Sequence, residues 1–222
     1  MKAIERIKKL IKRYRHAWVL LYGLIYIPWF IYLERRTNVH YFLIHSPVDD
    51  YIPFVEYFIV PYLLWFAFVA VAAGYFFFTD TKGFYRLSAF LIAGMTFFLF
   101  LCTVFPNGLN LRPTSFVRDN IFVDLVRYIY RTDTPTNVLP SIHVFNSIGV
   151  CIAIWHSSAL KKHRWIQYGS YVLALLIILS TVFLKQHSVT DVIAAFVLAC
   201  VIYPFVYAAQ EKKAAKLSHQ PI

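Results

Sequence analysis

Six stretches of the chain contain no Asp, Glu, Lys or Arg: 17–33, 57–79, 87–111, 138–160, 165–184 and 192–210. Each is about 17 to 25 residues long, the length with which a helix crosses a hydrocarbon core of roughly 30 Å. Adjusted for turn and cap residues, they predict spanning helices over about 17–33, 57–79, 87–106, 139–160, 165–184 and 189–210. The expected fold is all-α, a polytopic membrane protein forming one integral membrane domain over residues 1–222. Between the third and fourth runs, Phe116, Ile121, Phe122, Leu125, Val126 and Ile129 recur at helical spacing among Arg118, Asp119, Asp124, Arg127 and Arg131. That pattern predicts an amphipathic helix on the outer leaflet; a loop helix packed on the bundle is the alternative. Residues 42–56, with Asp49 and Asp50, form a second outer loop with no pattern that assigns it a role.

Composition agrees with lipid as the solvent. Hydrophobic residues make up 59% of the 222 positions and charged residues 15%, against roughly 45–50% and about 25% in soluble domains. The first run follows a basic segment, as a signal peptide does, but Glu34, Arg35 and Arg36 follow it in place of small residues. It is read as a retained anchor. The three cysteines, Cys102, Cys151 and Cys200, lie within apolar runs and suggest packing, neither a disulfide framework nor a metal cluster.

The net charge of +11 sets orientation. Six crossings put the N-terminus, the turn at Lys82 and Arg86, the turn at Lys161, Lys162 and Arg164, and the C-terminal tail on one side. That side carries about 15 of the 22 basic residues and three acids, Glu5, Asp80 and Glu211. By the positive-inside rule it is cytoplasmic, with both termini. The segment from Lys2 to Arg15 is then a topology signal or an anionic-lipid contact, and no nucleic-acid partner is expected.

Ionisable residues at membrane depth are costly and point to function. The topology brings Arg112, Ser141, His143, Lys185, His187 and Asp191, from four separate segments, to the outer boundary. His187 and Asp191 are four residues apart, on one helix face. A carboxylate on one imidazole nitrogen fixes the tautomer and leaves the other free to attack. His143 is the candidate proton donor to a leaving oxygen. Arg112 and Lys185 supply positive charge, and Ser141 marks a helix start whose free N–H groups can hold an anion. Singly, each has a structural alternative: Ser188 to Asp191 matches a capping box, Pro140-Ser141 a helix start, and Lys185 a snorkelling side chain.

At these residues the sequence resembles the type 2 phosphatidic acid phosphatase superfamily of integral membrane lipid phosphatases. Arg112-Pro113 matches the end of that family's first motif, Pro140-Ser141-Ile142-His143 its second, and Ser180, His187 and Asp191 its third. The family's lysine, glycine and third-motif arginine fall here on Phe105, Ile142 and Thr181. Two of three phosphate-binding cations are therefore missing; Lys185, or less directly Arg118, is the candidate replacement. The resemblance implies attack by His187, protonation by His143, and no metal or cofactor. It also implies membrane lipid phosphates as substrates: phosphatidic acid, phosphatidylglycerol phosphate or polyprenyl diphosphate. The expected location is the cell membrane, with the active site facing outside.

Two other functions compete. Sphingomyelin and inositol phosphorylceramide synthases are similar around the two histidines and pass a phosphorylated headgroup to a lipid alcohol. A non-catalytic lipid-binding membrane protein would keep the polar cluster without turnover.

Overall fold

The computed structural model describes residues 12–208 together with Glu5 and Lys9. The basic segment at the N-terminus lies largely outside the described residues, as does the C-terminal tail beyond Ala208. Of the described residues, 73% are helical. A 3₁₀ segment, Arg15–Tyr22, runs into α1 (Gly23–Glu34), and a shorter one, Glu56–Phe58, runs into α2 (Ile59–Thr79). There follow α3 (Thr81–Val104), α4 (Ile121–Thr132), α5 (Ile142–His156), α6 (Arg164–Phe183) and α7 (Val189–Tyr203), which a π turn, Pro204–Ala208, extends. Strand β1 (Phe42–Leu43) pairs in parallel with β2 (Asn107–Gly108).

Among the described residues, five helical stretches are long and apolar enough to cross a membrane: Arg15–Glu34, Glu56–Thr79, Thr81–Val104, Arg164–Phe183 and Val189–Tyr207. Their outward faces are apolar, with Leu24, Val71 and Phe205 at least 70% exposed, as expected where lipid replaces water. The fourth uncharged run behaves differently. Only Ile142–His156 of it is helical, 15 residues in place of the 22 predicted over 139–160. Ser141 caps the start, Ser157 leaves the helix with extended backbone, and a separate 3₁₀ turn covers Leu160–Lys162. Lack of charge marks what lipid tolerates; caps decide where a helix stops.

This short helix is the centre of the bundle. Its buried residues include Phe145 and Gly149, which meet Gly94 and Phe90 of α3. The rings of Phe90 and Phe145 stack at 4.6 Å and 8°. A Cβ on Gly94 would lie 2.1 Å from the Phe145 ring, and one on Gly149 would lie 2.8 Å from Phe90. Each helix thus offers a phenylalanine and, one turn later, a hole for its neighbour's ring, the close approach by which small residues pack membrane helices.

The amphipathic helix exists as α4, starting at Ile121 with Asn120 as its cap; Phe116 stays in the preceding loop. Val123 and Val126 are buried, and Val126 packs with Ile59, Tyr62 and Leu184, so one face of α4 lies against the bundle while Ile121 and Tyr128 remain exposed.

Candidate active site

Two helix starts meet at the site. Asn107, fully buried, accepts hydrogen bonds at Oδ1 from the N–H groups of Val138 and Leu139, both at 2.9 Å, and fixes the approach to the Pro140-Ser141 corner. Ser141 caps α5 by accepting from Val144 N–H at 3.4 Å, and its own N–H donates to the Asp191 carbonyl at 3.2 Å. The first turns of α5 and α7 are thereby joined through the backbone.

The joint aligns three side chains. Asp191 Oδ2 lies 3.3 Å from His187 Nδ1, and His187 Nε2 lies 3.4 Å from His143 Nδ1. Asp191 also accepts from the N–H of Ser188 at 2.9 Å, closing the capping box with the Ser188 hydroxyl. Cap and orienter are one carboxylate. With Nδ1–H of His187 donating to Asp191, Nε2 presents its lone pair. His143 is held between the rings of Tyr62 and Trp65, at 4.8 and 4.4 Å. A pocket of ≈ 40 Å³ adjoins the two histidines, walled by Glu34, Asp133, Thr136, Asn137 and Gln186.

Arg112 braces this pocket from outside. Its Nη1 donates to the carbonyls of Tyr130 (3.1 Å) and Asp133 (2.8 Å), its Nη2 to Gln186 Oε1, and its guanidinium sits 4.5 Å over the Tyr130 ring. Burial pushes Arg112 below its ordinary value, opposed by Asp133. Lys185 points elsewhere. It has φ 53°, and its Nζ donates to the Asp49 carbonyl at 2.7 Å. Burial pushes its ammonium below the ordinary value, with Asp49 and Asp50 opposing. Lys185 is not among the pocket walls.

The left-handed Lys185 follows from how α6 ends. Gln186 N–H donates to the Thr181 carbonyl at 2.9 Å and Lys185 N–H to Val182 at 3.1 Å, the paired bonds of a Schellman ending, in which glycine usually takes the Lys185 place. His187 N–H donates to the same Thr181 carbonyl at 3.0 Å. So Thr181, at the position of the family's arginine, holds the turn that delivers His187. Ser180 turns its hydroxyl back to Ile177 at 2.6 Å. Phe105 stacks on Phe42 at 4.8 Å, and Arg118 pairs with Glu56 at 3.0 Å.

Three residues that the motif reading passed over belong here. Asp49 accepts from Val189 N–H at 2.8 Å and from the Ser188 hydroxyl at 2.6 Å, fastening the loop between α1 and α2 to the start of α7; the Ser46 to Asp49 capping-box spacing was the available sequence signal. Gln186 is 4% exposed, and its Nε2 has no partner among the described residues. Asp133 accepts from Tyr62 Oη at 3.2 Å; burial pushes its carboxyl above the ordinary value, and Arg112 and His187 pull it back.

The model of the PAP2 superfamily matches residues 87–215, which include all six predicted site residues. The chain belongs to the PAP2 superfamily. No curated protein and no solved structure matches it. Membership in the PAP2 superfamily, together with the apolar helices, fits a membrane-bound lipid phosphatase or phosphotransferase.

Proposed function

We propose that this PAP2 protein hydrolyses membrane lipid phosphates on the extracytoplasmic side through a phosphohistidine. The observation that carries the reading is the Asp191–His187–His143 row, at 3.3 and 3.4 Å. His187 Nε2 attacks phosphorus, forming the P–N bond as the P–O bond to the lipid breaks. His143 supplies the proton to the departing oxygen. Water then attacks phosphorus, His143 takes its proton, the P–N bond breaks and phosphate leaves. Asp191 stabilises the imidazolium that forms when His187 is substituted. In this reading α5 crosses as the fourth of six spans despite its length, which returns both termini to the cytoplasm and puts His143 and His187 at the outer face.

Arg112 holds the pocket through Gln186, and the Gln186 amide and the N-terminal N–H groups of α5 offer donors to the phosphoryl oxygens. Lys185 contributes positive charge from the turn before His187. Phosphatidic acid, phosphatidylglycerol phosphate and polyprenyl diphosphate are the candidate substrates. The test is phosphate release by the purified protein from these lipids, with trapping of acid-labile, base-stable label on the chain. Both signals should vanish in His187→Ala; release that persists in that variant overturns the mechanism.

A second reading, transfer to an alcohol, is favoured by the walls of the pocket. Glu34, Asp133 and Asn137 offer oxygen acceptors beside the histidines, better suited to binding hydroxyl groups than phosphate. Product analysis with a headgroup-labelled donor separates the two: free phosphate marks hydrolysis, a new headgroup-bearing lipid marks transfer.

A further inference from the structure

The PAP2 match begins at residue 87, so α2 lies outside it, yet two side chains of α2 reach the site. Tyr62 and Trp65 are three positions apart, neighbours on one helix face, and their ring centroids stand 4.8 and 4.4 Å from that of His143. Both distances fall inside the roughly 6 Å over which a cation is drawn to an aromatic ring. Tyr62 is 2% exposed, packs with Ile59, Val126 and Leu184, and donates its hydroxyl to Asp133 Oδ2 at 3.2 Å. Trp65 packs edge-to-face with Phe66 at 4.9 Å, and its Nε1–H is buried with no hydrogen-bond partner among the described residues. An unpaired buried donor is costly, and phenylalanine would supply a ring without it. What tryptophan offers in its place is the aromatic ring that attracts cations most strongly.

In the proposed reaction His143 is protonated before the lipid oxygen leaves and again after water has attacked. A charge taken out of water must be compensated, and the ionisable groups around His143 are engaged with one another. Glu34 accepts from the Thr134 hydroxyl and from Asn137 Nδ2, Asp133 from Tyr62, and Asp191 from Ser188 and His187. Arg112 spends its donors on Tyr130, Asp133 and Gln186. His187, whose Nε2 lies 3.4 Å from His143 Nδ1, is neutral when it attacks. Among the described residues no carboxylate hydrogen-bonds to His143.

We propose that Tyr62 and Trp65 are positioning residues for the proton transfer, their π systems holding the His143 ring and stabilising its imidazolium, the form that gives its proton to the departing lipid oxygen. The inference rests on His143 being that donor. A carboxylate in the place of the rings would also hold the cation, but it would bind the N–H that the leaving oxygen needs. An aromatic wall stabilises the charge and leaves the proton free to move.

The test replaces Trp65 by tetrafluorotryptophan, which keeps the shape of the indole and withdraws electron density from its face, and by leucine, which removes the ring. The full chain, carrying isotope-labelled histidine in phosphatidylcholine nanodiscs, is titrated by NMR without substrate, and the His143 signal is assigned with His143→Gln. Loss of a contact that favours the cation lowers the pH at which the ring is half protonated, by about half a unit to one unit for one cation–π contact. That fall is expected in both Trp65 replacements and in Tyr62→Leu, whereas Tyr62→Phe, which keeps the ring, should retain most of the wild-type midpoint. The alkaline limb of kcat/KM, which reports the essential acid of the free enzyme, should move down by the same amount. A midpoint that the fluorinated ring leaves unmoved overturns the proposal, and it does so even where Trp65→Leu fails to fold. A midpoint that falls while the alkaline limb stays in place upholds the contact between the rings and the imidazolium and overturns His143 as the proton donor.

Discussion

Asp49 and Ser188, 139 residues apart in sequence, are joined by a 2.6 Å hydrogen bond from the Ser188 hydroxyl to Asp49 Oδ2. The same carboxylate accepts from Val189 N–H at 2.8 Å, so the loop between α1 and α2 caps the helix that carries Asp191. Asp49→Ala should destabilise the protein by about 1–2 kcal/mol, the range for losing a helix cap, and lower kcat with it. Thermal denaturation and turnover measured on the same preparation check this. Asp49→Asn, which keeps one acceptor, should retain most of both.

Lys185 combines an ammonium held at Asp49 with backbone in the left-handed region. Replacing it by glycine and by alanine separates the two properties. Lys185→Gly should recover backbone stability, since glycine adopts that conformation at little cost, whereas Lys185→Ala should lose roughly 1 kcal/mol relative to it. If the ammonium serves phosphate binding, both variants lose activity alike, as thoroughly as Arg112→Ala; activity that follows only the stability series assigns Lys185 to the turn.

Gln186 offers an unpartnered amide N–H beside the histidines while its oxygen holds Arg112. Gln186→Glu preserves the acceptor for Arg112 and removes the donor. We expect kcat/KM to fall at least tenfold, about 1.4 kcal/mol of transition-state stabilisation, with melting temperature unchanged or raised. Gln186→Leu should lose both activity and stability.

Burial holds the Asp133 carboxyl above its ordinary value. A raised carboxyl favours the fold while protonated, and that contribution declines as pH rises from the ordinary carboxylate range through the folded value. Asp133→Asn, which is neutral throughout, should therefore gain stability over the wild type as pH increases from about 4 to 7. Melting curves of both proteins across that interval are the measurement, and a constant difference refutes the assignment.

Gly94 and Phe145 cannot both be large. Gly94→Ala puts a Cβ 2.1 Å from the ring, and overpacking of this kind costs typically 1–3 kcal/mol. The double variant Gly94→Ala with Phe145→Leu should recover part of that loss, a coupling that a double-mutant cycle reads directly. Because Phe145 lies two residues after His143, turnover should fall further than the stability loss alone explains.

Much of the fold is legible in the chain because lipid leaves few options: a helix that crosses it must be long and uncharged, and five of the six runs contain one. The fourth run misleads because its helix ends at Ser157, where the backbone turns extended, a stop that the spacing of Asp, Glu, Lys and Arg does not register. Of the site, the pair His187 and Asp191 is readable because a helix turn places residues four apart on one face. Asp49, Asp133 and Gln186 are not readable in the same way. Asp49 reaches Ser188 across 139 positions and Arg112 reaches Gln186 across 74, contacts with no local period to announce them. Even Arg112, visible as a motif residue, spends its donors on the carbonyls of Tyr130 and Asp133, a bracing role that residue type alone does not disclose.

The 15 residues of α5 amount to about 22 Å of helix, against a hydrocarbon layer of roughly 30 Å. In the proposed membrane placement, with His156 level with the cytoplasmic interface, the reacting nitrogens lie some 8 Å beneath the opposite surface by that difference. A phosphate must sink to be cut, or the leaflet must dimple to meet it. Substrates would then be sorted by how far their phosphate can be drawn below its neighbours, and bilayer thickness would become a variable of the reaction rate.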